Sequence, residues 1–405
     1  MATETEPSPG RTRPTAGDGG QRGGGRLRGH LIGTYGLLAL TALLFLIFTV
    51  TMPDSFPTSD NLTSLLSTNA IPAMLALGAM IPIVTGKFDL SIGYGLGLWH
   101  VLTMQLIVVG GWPWQLACLV TILGGTVVGV LNGLLVELAK IDSFIATLGT
   151  GSVLYALTLW ITNGARIVPG PEGLPAWFTD LYTSTFLGLP VPAFYVLVLA
   201  FILWLVLERL PLGRYLYVIG SNARAADLVG IPTRRYSIYA FAGSGFVVGV
   251  SGVLLAAQQQ IGNPSGGQDY LLPAFVGALL GSTAIKPGRA NALGTIVAVT
   301  VLAVGLSGIT LAGADFWVTP LFNGGTLLIA VGLAGLSARR RLRAGAVATR
   351  RSLSDGPNAQ SDGTPGAQPG HLAAPAETTR PAAGPTAAET SPTEPPQASE
   401  HHRVP

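Results

Sequence analysis

Between residues 31 and 337 the chain alternates long apolar runs with short polar breaks. A helix needs about 20 apolar residues to cross a hydrocarbon layer ~30 Å thick. Runs of that kind predict ten spans, at 31–52, 61–85, 89–110, 115–138, 143–162, 190–208, 237–258, 270–285, 291–311 and 316–337, with eight as the alternative if 61–85 or 270–285 does not cross. The run at 270–285 is short and includes Pro273 near its start. The run at 61–85 holds Pro72 and Pro82, which predicts a kinked or broken helix, because proline has no N–H for the helix ladder. The first run is longer than the apolar core of a secretory leader, and no small-residue cleavage site follows it. The fold class predicted is all-α, a polytopic membrane protein.

The flanks read differently. Residues 1–30 are rich in Gly, Arg, Pro and Thr, and 338–405 open with a basic run and continue as a Pro/Ala/Thr/Glu tract. Neither composition can bury enough apolar surface to offset chain entropy, so both are predicted to be disordered tails around a membrane domain at 31–337.

Composition excludes most alternatives. Of 405 residues, 49% are hydrophobic and 11% charged, against roughly 25% charged in a typical soluble domain. One cysteine rules out a disulfide framework and any multi-cysteine metal site. The net charge of +3 matters less than its placement. If the first span starts inside, the inner segments are 86–88, 139–142, 209–236, 286–290 and both tails. They hold all of the 23 Lys and Arg residues except Arg166. That asymmetry follows the positive-inside rule and puts both termini in the cytoplasm.

Candidate chemistry is sparse. No charged side chain lies at the centre of a span. His100 is the nearest titratable group, and packing is its ordinary role there. No His-Glu-x-x-His zinc site, metal-bound pyrophosphate motif or nucleophile–base pair occurs, so no catalytic residue and no metal ligand is assigned. Gly86-Lys87 lacks the upstream glycine and the following hydroxyl of a phosphate-binding loop. The partners predicted include membrane lipid and exclude nucleic acid.

Glycine patterning adds structure. Gly243-Ser244-Gly245 with Gly249 and Gly252 form a small-residue stripe, which predicts close helix packing. Gly125-Thr126-Val127-Val128-Gly129-Val130 aligns with Gly294-Thr295-Ile296-Val297-Ala298-Val299. With matching span order, this predicts two repeats, 61–162 and 237–337, running in the same direction.

The inner loop 209–236 contains a short helix signal. Ser221 or Asn222 can cap it, Ala223 to Leu228 favour helix, and Gly230 and Pro232 stop it. A helix of about two turns is unstable alone. It is either a docking piece or a locally packed surface helix.

At this point several motifs carry a resemblance. Gly220-Ser221-Asn222-Ala223-Arg224-Ala225-Ala226-Asp227-Leu228-Val229-Gly230-Ile231 resembles the cytoplasmic motif of the ribose-type (monosaccharide) ABC transporter permeases. Asp89-Leu90-Ser91-Ile92-Gly93, Asn132-Gly133-Leu134-Leu135, Phe144-Ile145-Ala146-Thr147-Leu148-Gly149-Thr150 and Leu212-Gly213-Arg214-Tyr215 are similar to that family's other motifs, in order, from about residue 60 to 337. Two stretches depart from it. Lys87-Phe88 stands where the family tends to have glycine and a small or apolar residue. Ala284-Ile285-Lys286-Pro287-Gly288-Arg289-Ala290-Asn291 replaces a glycine-rich turn.

The resemblance implies a permease domain at 31–337 in the cell membrane, part of an ATP-driven monosaccharide importer. It implies ATPase docking by Asn222, Ala223, Arg224, Ala225, Ala226, Asp227, Leu228 and Gly230. It places Asp89, Ser91, Gly93, Asn132, Gly133, Thr147 and Gly149 near the pathway or in packing. The partners implied are a cytoplasmic ABC ATPase, an extracytoplasmic sugar-binding protein and a second permease copy or paralogue. ATP and Mg would bind the ATPase, and no cofactor this chain. The outer loop 163–189, with Glu172, Trp177, Phe178, Asp180 and Tyr182, is a candidate surface for the binding protein or an interfacial anchor. Asn69, Gln105, Asn132 and Gln258 to Gln260 are candidate polar groups of the pathway or helix bridges. A permease for branched-chain amino acids or signalling furanones, and a uniport-like facilitator without an ATPase, remain alternatives.

Overall fold

The structure is a computed structural model describing residues 21–329 and 331–332, with side chains from Thr34 onward. Residues 1–20, the tail 338–405 and the end of the predicted 316–337 span lie outside it. Helix α1 (Gln21–Thr51) begins inside the segment expected to be tail, and its apolar stretch is Thr34–Thr51. The predicted second span is two helices, α2 (Ser59–Thr68) and α3 (Ala70–Val84). The break falls at Asn69, just before Pro72, which has no N–H for the Thr68 carbonyl and crowds it with its ring. Pro82 lies within the last turn of α3 without ending it early.

Helix α4 (Ser91–Met104) runs on as a π-helical turn over Gln105–Val109. Helices α5 (Trp114–Glu137) and α6 (Ser143–Thr162) follow. A surface unit comes next: α7 (Ala176–Thr183) and an antiparallel hairpin of β1 (Thr185–Phe186) with β2 (Leu189–Pro190). Helix α8 (Val191–Glu208) leads to two short helices, α9 (Pro211–Ser221) and α10 (Ala223–Leu228). Helices α11 (Thr233–Gln259), α12 (Leu271–Gly281), α13 (Ala292–Leu311) and α14 (Val318–Ile329) complete the described chain.

Among the described residues eight helical segments are by themselves long and apolar enough to cross a membrane. Helix α14 ends where the described residues do, so the rest of the predicted 316–337 span lies outside them, and α12 is short. The 11 residues of α12 span about half of the hydrocarbon layer at 1.5 Å per residue. The preceding segment, 260–270, supplies the rest as irregular chain descending along α4. Gly262 packs on Met104, Ile261 meets His100, and Gly267 presses its backbone on Gly97 and Gly93. Irregular backbone is tolerated at membrane depth when buried in protein, and Gly93 and Gly97 provide the close approach.

Helix α3 sits at the centre. Ile71, Leu75, Leu77 and Met80 are fully buried, as expected of a helix apolar on all sides. Helix α11 packs against α3, α4 and α5. Gly125 and Gly129 meet the backbone of α11 near Gly245 and Phe241, with no room for side chains between them. The small-residue stripe therefore serves packing.

The same contacts correct the direction of the repeats. Along the α3–α11 interface Gly78 meets Val247, Ile81 meets Gly243 and Lys87 meets Ser237, so the two helices are antiparallel. Gly125 meets Gly249, and Gly133 meets Ile238, so α5 is antiparallel to α11 and parallel to α3. Thr295 reaches Met80 while Ser307 reaches Asn61, so α13 is antiparallel to α3. The matched helices α5 and α13 therefore run in opposite directions. The repeats are inverted: four crossings, α4, α5, α6 and α8, lie between their first helices α3 and α11, and an even number between them leaves the two pointing in opposite directions. Inverted repeats are a common transporter plan.

Candidate functional site

One end of the bundle collects Lys87, Glu137, Lys140, α9, α10 and the α12–α13 turn. At this basic end the sequence motifs converge. Asp89 is buried just before α4. Its Oδ1 accepts from the Ser91 N–H at 3.1 Å and the Ser91 hydroxyl at 2.5 Å. Its Oδ2 accepts from the Ser244 hydroxyl of α11 at 3.0 Å. The Asn132 amide donates to Ser91 Oγ at 2.8 Å. Asp89 thus holds the first N–H of α4 and ties that helix to α11, while Asn132 on Ser91 ties it to α5. Thr147 accepts from the Leu90 N–H at 2.9 Å and donates to the Ser143 carbonyl at 2.7 Å, joining α6 to the same turn.

Asp89, Ser91, Asn132 and Thr147 are therefore brought together, as a clasp of four helices. Gly93 meets Leu271 and Gly133 meets Ile238, both in packing. Gly149 has nothing within 4 Å of where a side chain would begin, and stands apart from the others. Sequence reasoning passed over Ser244, whose stripe of small residues signalled packing only. It also passed over the salt bridge from Lys87 to Glu137, because nothing local links residues so far apart. Burial, aided by the Lys140 ammonium, lowers the Lys87 amine to about 8.

The loop 209–236 forms two amphipathic pieces. Helix α9 buries Gly213, Leu216 and Ile219, and Gly220 abuts the Val84 carbonyl at the end of α3 without room for a side chain. Helix α10 is capped as expected: Asn222 Oδ1 accepts from the Ala225 N–H at 3.0 Å. Ala226 is fully buried beneath it. Asp227 Oδ1 accepts from the Thr233 hydroxyl at 2.5 Å, pinning α10 to the start of α11. Gly230 turns the chain at φ +82°. Leu228 and Val229, at 85% and 73% exposure, form an apolar tip that stands uncovered among the described residues.

The turn that departs from the family pattern is reshaped. Ile285 adopts φ +59° and Gly288 +82°. Lys286 pairs with Glu208, Arg289 stacks on the Tyr217 ring at 3.9 Å, and Tyr217 donates to the Ala290 carbonyl at 2.7 Å. Side-chain anchors on α8 and α9 hold it where glycines were expected.

At the opposite end the exposed surface of 163–189 is smaller than predicted. Phe178 is buried against Trp114, and the buried Tyr182 donates to the Ser67 carbonyl at 2.5 Å. Both are packing residues, while Trp177 is 78% exposed. His100 Nε2 lies 2.6 Å from the Ile261 carbonyl oxygen and fastens the descending segment. A cavity of about 200 Å³ beside the α2–α3 break is lined mainly by apolar residues such as Leu65, Ala73, Val196 and Val299. The Asn69 amide and the Thr300 hydroxyl there already bond the Leu65 and Ile296 carbonyls. It offers little to a sugar.

Comparison with known proteins agrees with this arrangement. A family model described as "Branched-chain amino acid transport system / permease component" matches residues 61–331. The ribose import permease protein of Bacillus subtilis (strain 168) is 34% identical over 290 residues, covering 71% of this chain and 88% of the relative. The D-allose transport system permease protein of Escherichia coli (strain K12) is 27% identical over 299 residues, covering 74% and 90%. The autoinducer 2 import system permease protein of Salmonella typhimurium is 29% identical over 262 residues, covering 64% and 78%. No solved structure matches the chain. The match spans the membrane bundle, the buried clasp and α10 alike, and this multi-pass membrane protein belongs to the ribose-type monosaccharide ABC permease family.

Proposed function

We propose that the chain is the membrane-spanning subunit of an ATP-driven importer for a monosaccharide of the ribose, pentose or hexose class. The observation that carries the reading is α10. A helix of 6 residues cannot persist alone, yet this one is capped by Asn222, pinned by Asp227 and closed by Gly230. What it presents is Leu228 and Val229, an apolar tip next to Arg224, outside the spans. Such a tip suits a groove on a soluble partner, and a cytoplasmic ATPase is the partner that a chain without a phosphate loop requires. ATP and Mg would then bind that partner. The basic end is accordingly cytoplasmic, and so are both termini.

The opposite end, with Trp177 and the β1–β2 hairpin, faces the sugar-binding protein. The pathway is completed by a second permease copy, with the inverted halves rocking about it. ATP binding moves the docked α10, and the halves exchange inward-open for outward-open contacts.

The test is retention of the ATPase. Purified in mild detergent through a tag on this chain, the wild-type protein retains an ABC ATPase subunit. Leu228→Glu places a charge in the docking groove and is expected to lower retention about tenfold, the effect of roughly 1.4 kcal/mol, while leaving membrane insertion intact. Equal retention by both would overturn the docking assignment.

A further inference from the structure

The cluster around Lys87 belongs neither to the docking tip nor to the Asp89 clasp. Lys87 lies in the turn between α3 and α4, its side chain 22% exposed. Its ammonium donates to Glu137 Oε1 at the end of α5, and to Ser237 Oγ in α11 at 2.8 Å. The Glu137 side chain is 7% exposed, and its other oxygen faces Lys140 at 3.6 Å. Ser237 is fully buried. One ammonium therefore joins the two inverted halves at the basic end: the α3–α4 turn and α5 from the first, α11 from the second.

Polar contacts continue from this cluster to α10. The Ile231 N–H donates to the Ala226 carbonyl at 3.0 Å, and the Thr233 hydroxyl to Asp227 at 2.5 Å. Thr233 opens α11, and Ser237 stands four residues on, on the same helix face. A displacement of α10 thus pulls the first turn of α11 against Lys87. Asp89 on Ser244 also ties the halves, farther along α11, whereas Gly133 on Ile238 is a van der Waals surface that can slide. A buried ion pair is closer to all-or-none, because an unpaired buried charge is strongly disfavoured.

We propose that Lys87 is a positioning residue that transmits movement of the docked α10 to the first half of the bundle through Ser237 and Glu137. The proposal rests on the importer reading and deepens it. The variant that isolates it is Lys87→Met. Glu137 keeps Lys140 as its partner and Asp89 keeps Ser244, so the fold survives, but the ammonium that links Ser237 to Glu137 is gone. Glu137→Gln is a poorer choice, since it strands Lys87 beside Lys140.

The experiment uses the complete complex, purified through a tag on this chain and reconstituted in liposomes with radiolabelled ribose as the probe. The readout is ATP hydrolysed per sugar taken up, with ATPase retention and unfolding temperature measured alongside. Lys87→Met is expected to retain the ATPase and its hydrolysis while the ratio rises about fivefold, at the lower end of ordinary coupling between sites. Lys87→Arg, and the reversed pair Lys87→Glu with Glu137→Lys, are expected to restore the ratio. A ratio equal to wild type in Lys87→Met, or uptake and hydrolysis falling in proportion, would overturn the proposal. A wild-type complex that lacks any ATPase would overturn the importer reading instead, and the proposal with it.

Discussion

Asp227 and Gly230 fix the far end of α10 by different means. Asp227 takes the hydroxyl of Thr233, and Gly230 supplies the left-handed turn at φ +82°. A β-branched residue in that conformation costs about 1–2 kcal/mol, more than a helix of this length can absorb without shifting. Asp227→Lys removes the anchor to α11, whereas Gly230→Val distorts the exit. Both variants are expected to reach the membrane in normal amount and to lose uptake. Normal uptake by either would count against α10 as the transmitting element. These residues were legible in the sequence because caps and stops are local signals: Asn222, Gly230 and Pro232 lie within a few positions of the helix they bound. The partners of Lys87 were not, since Glu137 and Ser237 reach it only through the packing of α5 and α11.

At the scale of elements, hydropathy located the helices but not how they are interrupted. It cannot separate a straight span from a broken one, and only Pro72 and Pro82 hinted at the break between α2 and α3. Pro72 was the effective one, because its missing N–H falls in the first turn of α3, opposite the Thr68 carbonyl. Pro72→Ala restores that donor. Hydrogen exchange is then expected to slow at residues 70–73 as α2 and α3 merge; unchanged exchange there would mean that the break is imposed by the packing around Asn69. The weak run at 270–285 has a physical explanation too. Half of that passage is non-α-helical chain seated on Gly93 and Gly97 of α4, and its polar residues Gln268 and Asp269 cut the apolar run short at 270. Gly93 looked like a motif position; its role became visible only with Leu271 and Gly267 lying against it.

For the whole molecule, the apolar runs and the charge asymmetry made a polytopic bundle with one basic end legible without reference to contacts. The direction of the repeats needed contacts. A six-residue match locates α5 against α13 but carries no information on orientation, which appears in the descending register of α3 on α11. Inversion suits the proposed mechanism: two oppositely oriented halves present one face to each side in turn, and α10 sits where they meet at the basic end. The outer surface, by contrast, lost Phe178 and Tyr182 to packing, because aromatic residues in a loop read alike whether they anchor or pack. The central claim is that transport through this bundle is driven by an ATPase held at α10. It is tested most directly by the uptake of labelled ribose into cells producing the complete system, before and after ATP depletion. Uptake is expected to fall to the level of cells lacking the chain, and undiminished uptake after depletion would contradict the account.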